Sequence, residues 1–424
     1  NLFLNELDAL YYSNFLFDVL KYSPTSDFEI KENDNDVNYF ANNFKEYLMN
    51  TLELDDVEAE LKLDYIFGIL TPLPSEVNKK FHELVNSGDK EGATSYLYNL
   101  GINSYYVQKQ KIDQNIGWDA TFENDPAIEI SINLSKPEKN NKDIAKLLSA
   151  TKETSYPKCL LCKENLGFFG TAKKASRENI RYAFFNYCNH DWFMQYSPYG
   201  YFDEHMILVD VEHRPMAITN EVLETLLLFV AEFPHYIIGS NSDLPIVGGS
   251  ILNHEHFQGG KHIFPMMKAE PLFEIEDLYP NVNVYYLNFY NSTMLIKGKN
   301  YKDVLNASIK IKDAWATHTD AAVNIISEDE LGRHNTVTPI ARIVDGEYYM
   351  YLILRNNCCN ETYPDGIFHA HPEYHAIKKE GIGLIKCLRF CSPYVFAMMI
   401  LWLVLIVVWT LVGIPLGIGA SGIL

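Results

Sequence analysis

The stretch Asn241-Ser-Asp-Leu-Pro-Ile-Val-Gly-Gly-Ser-Ile-Leu-Asn-His-Glu-His-Phe-Gln-Gly-Gly-Lys-His262 decides how this chain is read. At its centre lie His254, His256 and Gln258, alternate residues that an extended strand would turn to one face. A neutral imidazole can attack phosphorus, and the phosphoramidate it forms can pass the group on, so that one displacement becomes two. Gln258 could donate to a non-bridging phosphate oxygen and stabilise charge in the transition state. Gly248, Gly249, Gly259 and Gly260 would let the backbone approach a phosphate. Taken alone, an H-x-H pair equally describes a metal site or two unrelated surface histidines, so the rest of the sequence has to choose.

Two further patterns carry chemistry. Cys159-Leu-Leu-Cys162 has the spacing that places two thiolates on one zinc ion, although two ordinary core cysteines have the same spacing. Phe368-His369-Ala370-His371 is a second i, i+2 histidine pair, expected on one strand face. His190, His213, His235 and His318 have no spacing partner and read as surface or core histidines. Cys188, Cys358, Cys359, Cys387 and Cys391 join no framework.

Further out, alternation at Ile128–Leu134 predicts a half-buried strand, and 193–196, 206–209 and 348–354 are further strand candidates. Apolar spacing predicts a helix over Glu221–Phe233 and another beginning at a capping Ser75. The first 50 residues suggest short amphipathic helices between polar turns. Mixed α and β structure follows, with no internal repeat.

Bulk properties narrow the function. The chain has 424 residues, 47% hydrophobic, which is globular composition. Its net charge of −20 repels phosphate backbones and disfavours nucleic acid as a partner unless a local basic groove overrides it. An odd count of seven cysteines, without an amino-terminal signal peptide, predicts a reducing, cytoplasmic setting. Because it begins at Asn1 rather than methionine, the chain is expected to be a fragment. From Phe390 to Leu424 no residue is charged, and 394–414 is long and apolar enough for a membrane tether. Lys386 and Arg389 on its amino-terminal flank would leave the preceding domain in the cytoplasm. The same tail is equally described by a joined fragment or a shifted frame.

The segment 241–262 closely resembles the active-site segment of the Gram-positive branch of galactose-1-phosphate uridylyltransferases, within the histidine-triad superfamily. Cys159-Leu-Leu-Cys-Lys-Glu-Asn165, Asn133-Leu-Ser-Lys-Pro-Glu138, His334–Ala341 and Gly366–Ile385 resemble further family motifs, in order, from about Asp64 to Ile385. The resemblance implies an α+β fold of two related halves, each an antiparallel sheet with flanking helices. The expected divisions are a helical amino-terminal elaboration over 1–125, a first half over 126–270, a truncated second half over 271–386 and an apolar tail over 387–424.

The resemblance also implies roles. His256 is the nucleophile that becomes uridylylated, Gln258 assists it, and Asn241, Gly248, Gly249 and Gly259 bind substrate. Cys159, Cys162, His254 and, matched through an S-P-x-x-H-like stretch, His205 hold a structural zinc. Glu270, His369 and His371 form a second metal site. Substrates would be UDP-glucose and galactose 1-phosphate, and the assembly a homodimer. At Lys386 the resemblance ends, and with it an acidic residue that related enzymes use near the hexose. A different histidine-triad activity, such as a nucleotide phosphorylase or hydrolase, and an inactive metal-binding remnant are the alternatives.

Overall fold

The computed structural model describes residues 6–24, 36–121, 126–135, 156–171, 174–248, 251–369, 371 and 390–391. Six helices come first: α1 (Glu6–Val19), α2 (Val37–Asn50), α3 (Asp56–Leu70), α4 (Pro74–Asn86), α5 (Lys90–Asn103) and α6 (Lys109–Ile112). Local chemistry starts several of them. Asp55 caps α3 by accepting from Val57 and Glu58, while Glu58 reaches back to the Asp55 N–H. Helix α4 begins two residues earlier than the expected Ser75 cap implies, with Leu73 in the cap position. Pro74, which needs no N–H partner there, occupies its first position, and Glu76 accepts from the Leu73 N–H.

Strands β1 (Ile116–Ala120) and β2 (Ile128–Ile132) form a small antiparallel sheet, which Phe390–Cys391 joins in parallel as β15. The main sheet has ten strands. Its first half contains β3 (Ala183–Tyr187), β4 (His190–Tyr196), β5 (Met206–Asp210), helix α7 (Asn220–Glu232), β6 (Ile237–Ser240) and β7 (His256–Gly260). Its second half contains β8 (Pro271–Glu274), β9 (Asn283–Leu287), β10 (Thr293–Gly298), helix α8 (Tyr301–Ala316), β13 (Asn335–Val344) and β14 (Glu347–Asn356). A small β11–β12 hairpin (Glu328–Asp329, Gly332–Arg333) lies between α8 and β13.

The spatial order is β3-β4-β5-β7-β6-β13-β14-β10-β9-β8. Each half therefore repeats one plan: three strands, a helix, then two strands, the last inserted between the third and fourth. The halves join where β6 pairs antiparallel with β13, Ile340 opposite Gly239. By Asn356 the second half has the same strand complement as the first. Lys386, where the expected truncation begins, follows these five strands in the chain and lies outside the described residues.

Phe257, Leu208 and Ile238 pack with α7 and α8 residues in one large core. Strand alternation then turns His256 and Gln258 to the opposite face, where a second cluster, including Phe264, Leu295 and Tyr351, packs. Helix α4 also guards the outer edge of the sheet. Asn78 accepts from the Phe184 N–H at 2.9 Å and His82 Nε2 lies 2.7 Å from the Phe184 carbonyl, so both outward backbone groups of that β3 residue are paired. No helix among the described residues is long and apolar enough to cross a membrane, and 394–414 lies outside them.

Asp64 on α3 makes the helical region sensitive to pH. Burial, reinforced by the nearby Glu60 carboxylate, pushes its pKa up to about 7. A carboxyl raised above its unfolded value stabilises the fold below about pH 4, and this contribution is lost as pH climbs towards 7. Asp64→Asn is therefore expected to raise Tm by a few degrees at pH 8 and leave it unchanged at pH 4. Thermal melts of both proteins across that range check the sign.

Candidate active site and metal centre

Strand β5 runs antiparallel to β7, with Val209 opposite His256 and Met206 opposite Gly259. This register decides which histidines can meet. Residues just beyond the end of β5 lie beside those just ahead of β7, whereas residues ahead of β5 lie beside the far end of β7.

His254 sits in the bend ahead of β7, not in the strand row with His256 expected from alternation. Its Nδ1 is 3.2 Å from Cys159 Sγ and 3.8 Å from Cys162 Sγ. The fourth member is His213, three residues past β5, whose Nδ1 lies 3.1 Å from Cys162 Sγ. The four donor atoms of Cys159, Cys162, His213 and His254 all fall within 4.8 Å of one another, a group that could hold a metal ion. His205, expected as the fourth ligand, is not there. It lies ahead of β5, and its Nε2 is 3.2 Å from Gln258 Oε1, at the other end of β7.

The cluster is braced from outside. His254 Nε2 donates to the Asp210 carbonyl at 2.9 Å, which frees Nδ1 as a ligand. Asn165 Nδ2 donates to the carbonyls of Cys159 and Cys162, fixing the loop that presents both sulfurs. Arg214 bridges Asp210 and Glu255, its Nη2 lying 2.8 Å from the Glu255 carboxylate, and so ties the His213 loop to the His254 bend. Burial raises both thiols. At Cys159 the hydrogen bonds with His254, the Leu161 N–H and Cys162 together outweigh burial and hold the thiol below its ordinary value, while Cys162 is pushed up to about 11.

His256 is 6% exposed, and its Nδ1 donates to the His254 carbonyl at 2.8 Å. That bond sets the tautomer and leaves the Nε2 lone pair available. Burial drives the imidazole pKa down to about 4, so the ring is neutral at physiological pH. Gln258, two residues along, shares its face and is half-buried. Asn241 follows β6 one residue beyond the Ser240–Phe257 pair, and this continues the register to His256. Asp243, two residues on, accepts from Thr336 Oγ1, Arg333 and the Ile218 N–H, anchoring this loop to the second half.

The glycines have packing reasons. A Cβ on Gly259 would collide with the Ile237 carbonyl across the β6–β7 pair, and one on Gly248 would lie 2.6 Å from the Ser242 carbonyl of its own tight loop. Gly249 lies outside the described residues. The second expected metal set does not gather. Glu270 is exposed beside β8; His369 lies in a bend and His371 in irregular chain, neither on a strand; and His371 Nε2 donates to the Ile367 carbonyl. Among the described residues, the Cys159–Cys162–His213–His254 group is the metal-competent cluster.

Comparison with known proteins places this geometry. Residues 41–215 match the model of the galactose-1-phosphate uridyl transferase amino-terminal domain, and residues 229–389 that of its carboxy-terminal domain. A galactose-1-phosphate uridylyltransferase of Clostridium acetobutylicum is 42% identical over 387 residues, covering 90% of this chain and 77% of that protein. The chain belongs to the galactose-1-phosphate uridylyltransferase family. Relatives of the same name from Caldanaerobacter subterraneus and Lactococcus lactis are 40% and 38% identical, each across 90% of this chain and 75% and 78% of their own lengths. Among solved structures, yeast Ap4A phosphorylase Apa2 matches at a TM-score of 0.35 and 9% identity, over 75% of this chain and 86% of that one, a likeness too slight to bear on the site.

Proposed function

We propose that the chain transfers a uridylyl group from UDP-glucose to galactose 1-phosphate through a covalent intermediate on His256. The observation that carries this reading is the state of that side chain: buried, neutral, held by Nδ1 with the Nε2 lone pair left over, and on the strand face that Gln258 shares. In the first step Nε2 attacks the α-phosphorus of UDP-glucose. A P–N bond forms as the P–O bond to glucose 1-phosphate breaks. Galactose 1-phosphate then attacks the same phosphorus through a phosphate oxygen; the P–N bond breaks and UDP-galactose leaves. Gln258 steadies the non-bridging oxygen that gains charge in both steps.

The metal we assign to the cysteine–histidine cluster is a structural zinc. Tetrahedral bonds of about 2.3 Å to sulfur and about 2.0 Å to nitrogen space the donors by roughly 3.3–3.8 Å. The donor pairs of 3.6 and 3.8 Å fall in that range and those of 3.2 and 3.1 Å just short of it, a spacing that an ion could draw to its own. Four protein donors leave no position for substrate, so zinc would fix the bend before β7 and His256 with it. A cytoplasmic homodimer is the assembly we infer for it, given sugar-nucleotide substrates and reduced thiols.

Isotope exchange separates this reading from its alternatives. With galactose 1-phosphate omitted, label is expected to pass between glucose 1-phosphate and UDP-glucose, because the half-reaction is complete and reversible. A phosphorylase or hydrolase would consume the nucleotide with phosphate or water and catalyse no such exchange.

A further inference from the structure

We infer that His205 is the positioning residue of Gln258, holding its amide so that the NH2, and not the carbonyl oxygen, faces the reacting phosphate. This rests on the uridylyl-transfer reading. A glutamine amide offers a donor on one side and an acceptor on the other, and the two orientations differ by a half-turn of a soft torsion. Turned the wrong way, Gln258 would set its carbonyl oxygen against a phosphate oxygen and repel the charge it should stabilise. Some neighbour has to fix the choice.

His205 is placed to do so. It is 4% exposed, and its Nε2 lies 3.2 Å from Gln258 Oε1. With the proton on Nε2, the imidazole donates to the carbonyl oxygen, and the amide nitrogen is left to point away from it. The ring is wedged against Phe202, 4.7 Å between centroids, and its own backbone carbonyl accepts from the Ser197 N–H at 2.8 Å. It is thus held by packing on one side and by the backbone on the other. The five residues of β5, about 16 Å of strand, separate it from the end where His213 and the cysteines gather. His205 therefore acts on the phosphate through Gln258, from the opposite end of β5 to the metal cluster.

The test is a double-mutant cycle read on the first half-reaction. UDP-glucose is mixed rapidly with full-length enzyme, and formation of the UMP–enzyme adduct is followed. His205→Phe, which keeps the aromatic packing and removes the donor, is expected to slow adduct formation about 10–100-fold, the cost of a misplaced catalytic group. KM and metal content should stay unchanged. Gln258→Ala is expected to slow it about 100–1,000-fold, as loss of an oxyanion donor does. The decisive result is the double variant, which should be no slower than Gln258→Ala alone, since a positioning residue has nothing left to position. His205→Gln, which restores a donor, should recover part of the rate.

Multiplicative losses in the double variant would overturn the proposal, as would loss of metal from His205→Phe. No recovery in His205→Gln, in a protein that still melts like the parent, would overturn it as well. If the unsubstituted enzyme forms no adduct at all, the transfer reading itself has failed, and this assignment falls with it.

Discussion

Replacing His256 with asparagine is expected to abolish labelling by UDP-glucose and to lower turnover by at least ~10⁴-fold, removal of a covalent nucleophile costing up to about 10⁶ in comparable enzymes. The substitution is conservative for the fold. An asparagine amide can still donate towards the His254 carbonyl that now accepts from Nδ1, and it introduces no charge into a site that is 6% exposed. Unfolding should therefore not account for the loss, and a melting curve close to the parent's would show that. Label persisting in the variant, or activity above about one part in a hundred, would move the nucleophile elsewhere and remove the basis of the mechanism.

The second large effect concerns the metal. His213→Ala should strip the cluster of one of four donors and lower metal affinity by at least ~100-fold, since even outer partners of metal ligands are worth 10–100-fold. Structural zinc contributes on the order of 10 kcal/mol to the folds it holds, so Tm should fall with it. His205→Ala should leave metal content at one ion per chain. Metal analysis of the two purified variants checks this directly. The reverse pattern, metal lost with His205 and kept without His213, would contradict the β5–β7 register on which the site is built.

These two histidines also show where sequence reading ends. Alternation marked β2, short strand-like runs marked β4, β5 and β14, and apolar spacing marked α7, because those signals are local. Strand β7 has little such signal. His-Phe-Gln-Gly-Gly is poor strand sequence, and Gly259 is required by the close approach of the Ile237 carbonyl, not by any preference of its own. His213 had no spacing partner because its partners are 51 and 41 residues away at Cys162 and His254. One signal was present: a histidine just past one strand and another just before its antiparallel neighbour must lie side by side. His205, chosen instead for its likeness to a motif, stands before β5 and is carried to the opposite end. The β6–β13 seam has no local signature, since it joins residues about a hundred positions apart.

The repeated plan of the sheet has a consequence that can be counted. Strand β14 occupies in the second half the place that β7 occupies in the first, and its sequence, Glu347-Tyr-Tyr-Met-Tyr-Leu-Ile-Leu-Arg-Asn356, contains no histidine. Two copies of one architecture are fused, and in the mechanism proposed for His256 only the first offers an imidazole at this strand position. Saturating the protein with UDP-glucose should therefore titrate to a single equivalent of bound UMP per polypeptide, a stoichiometry of one where the symmetry of the backbone alone would suggest two.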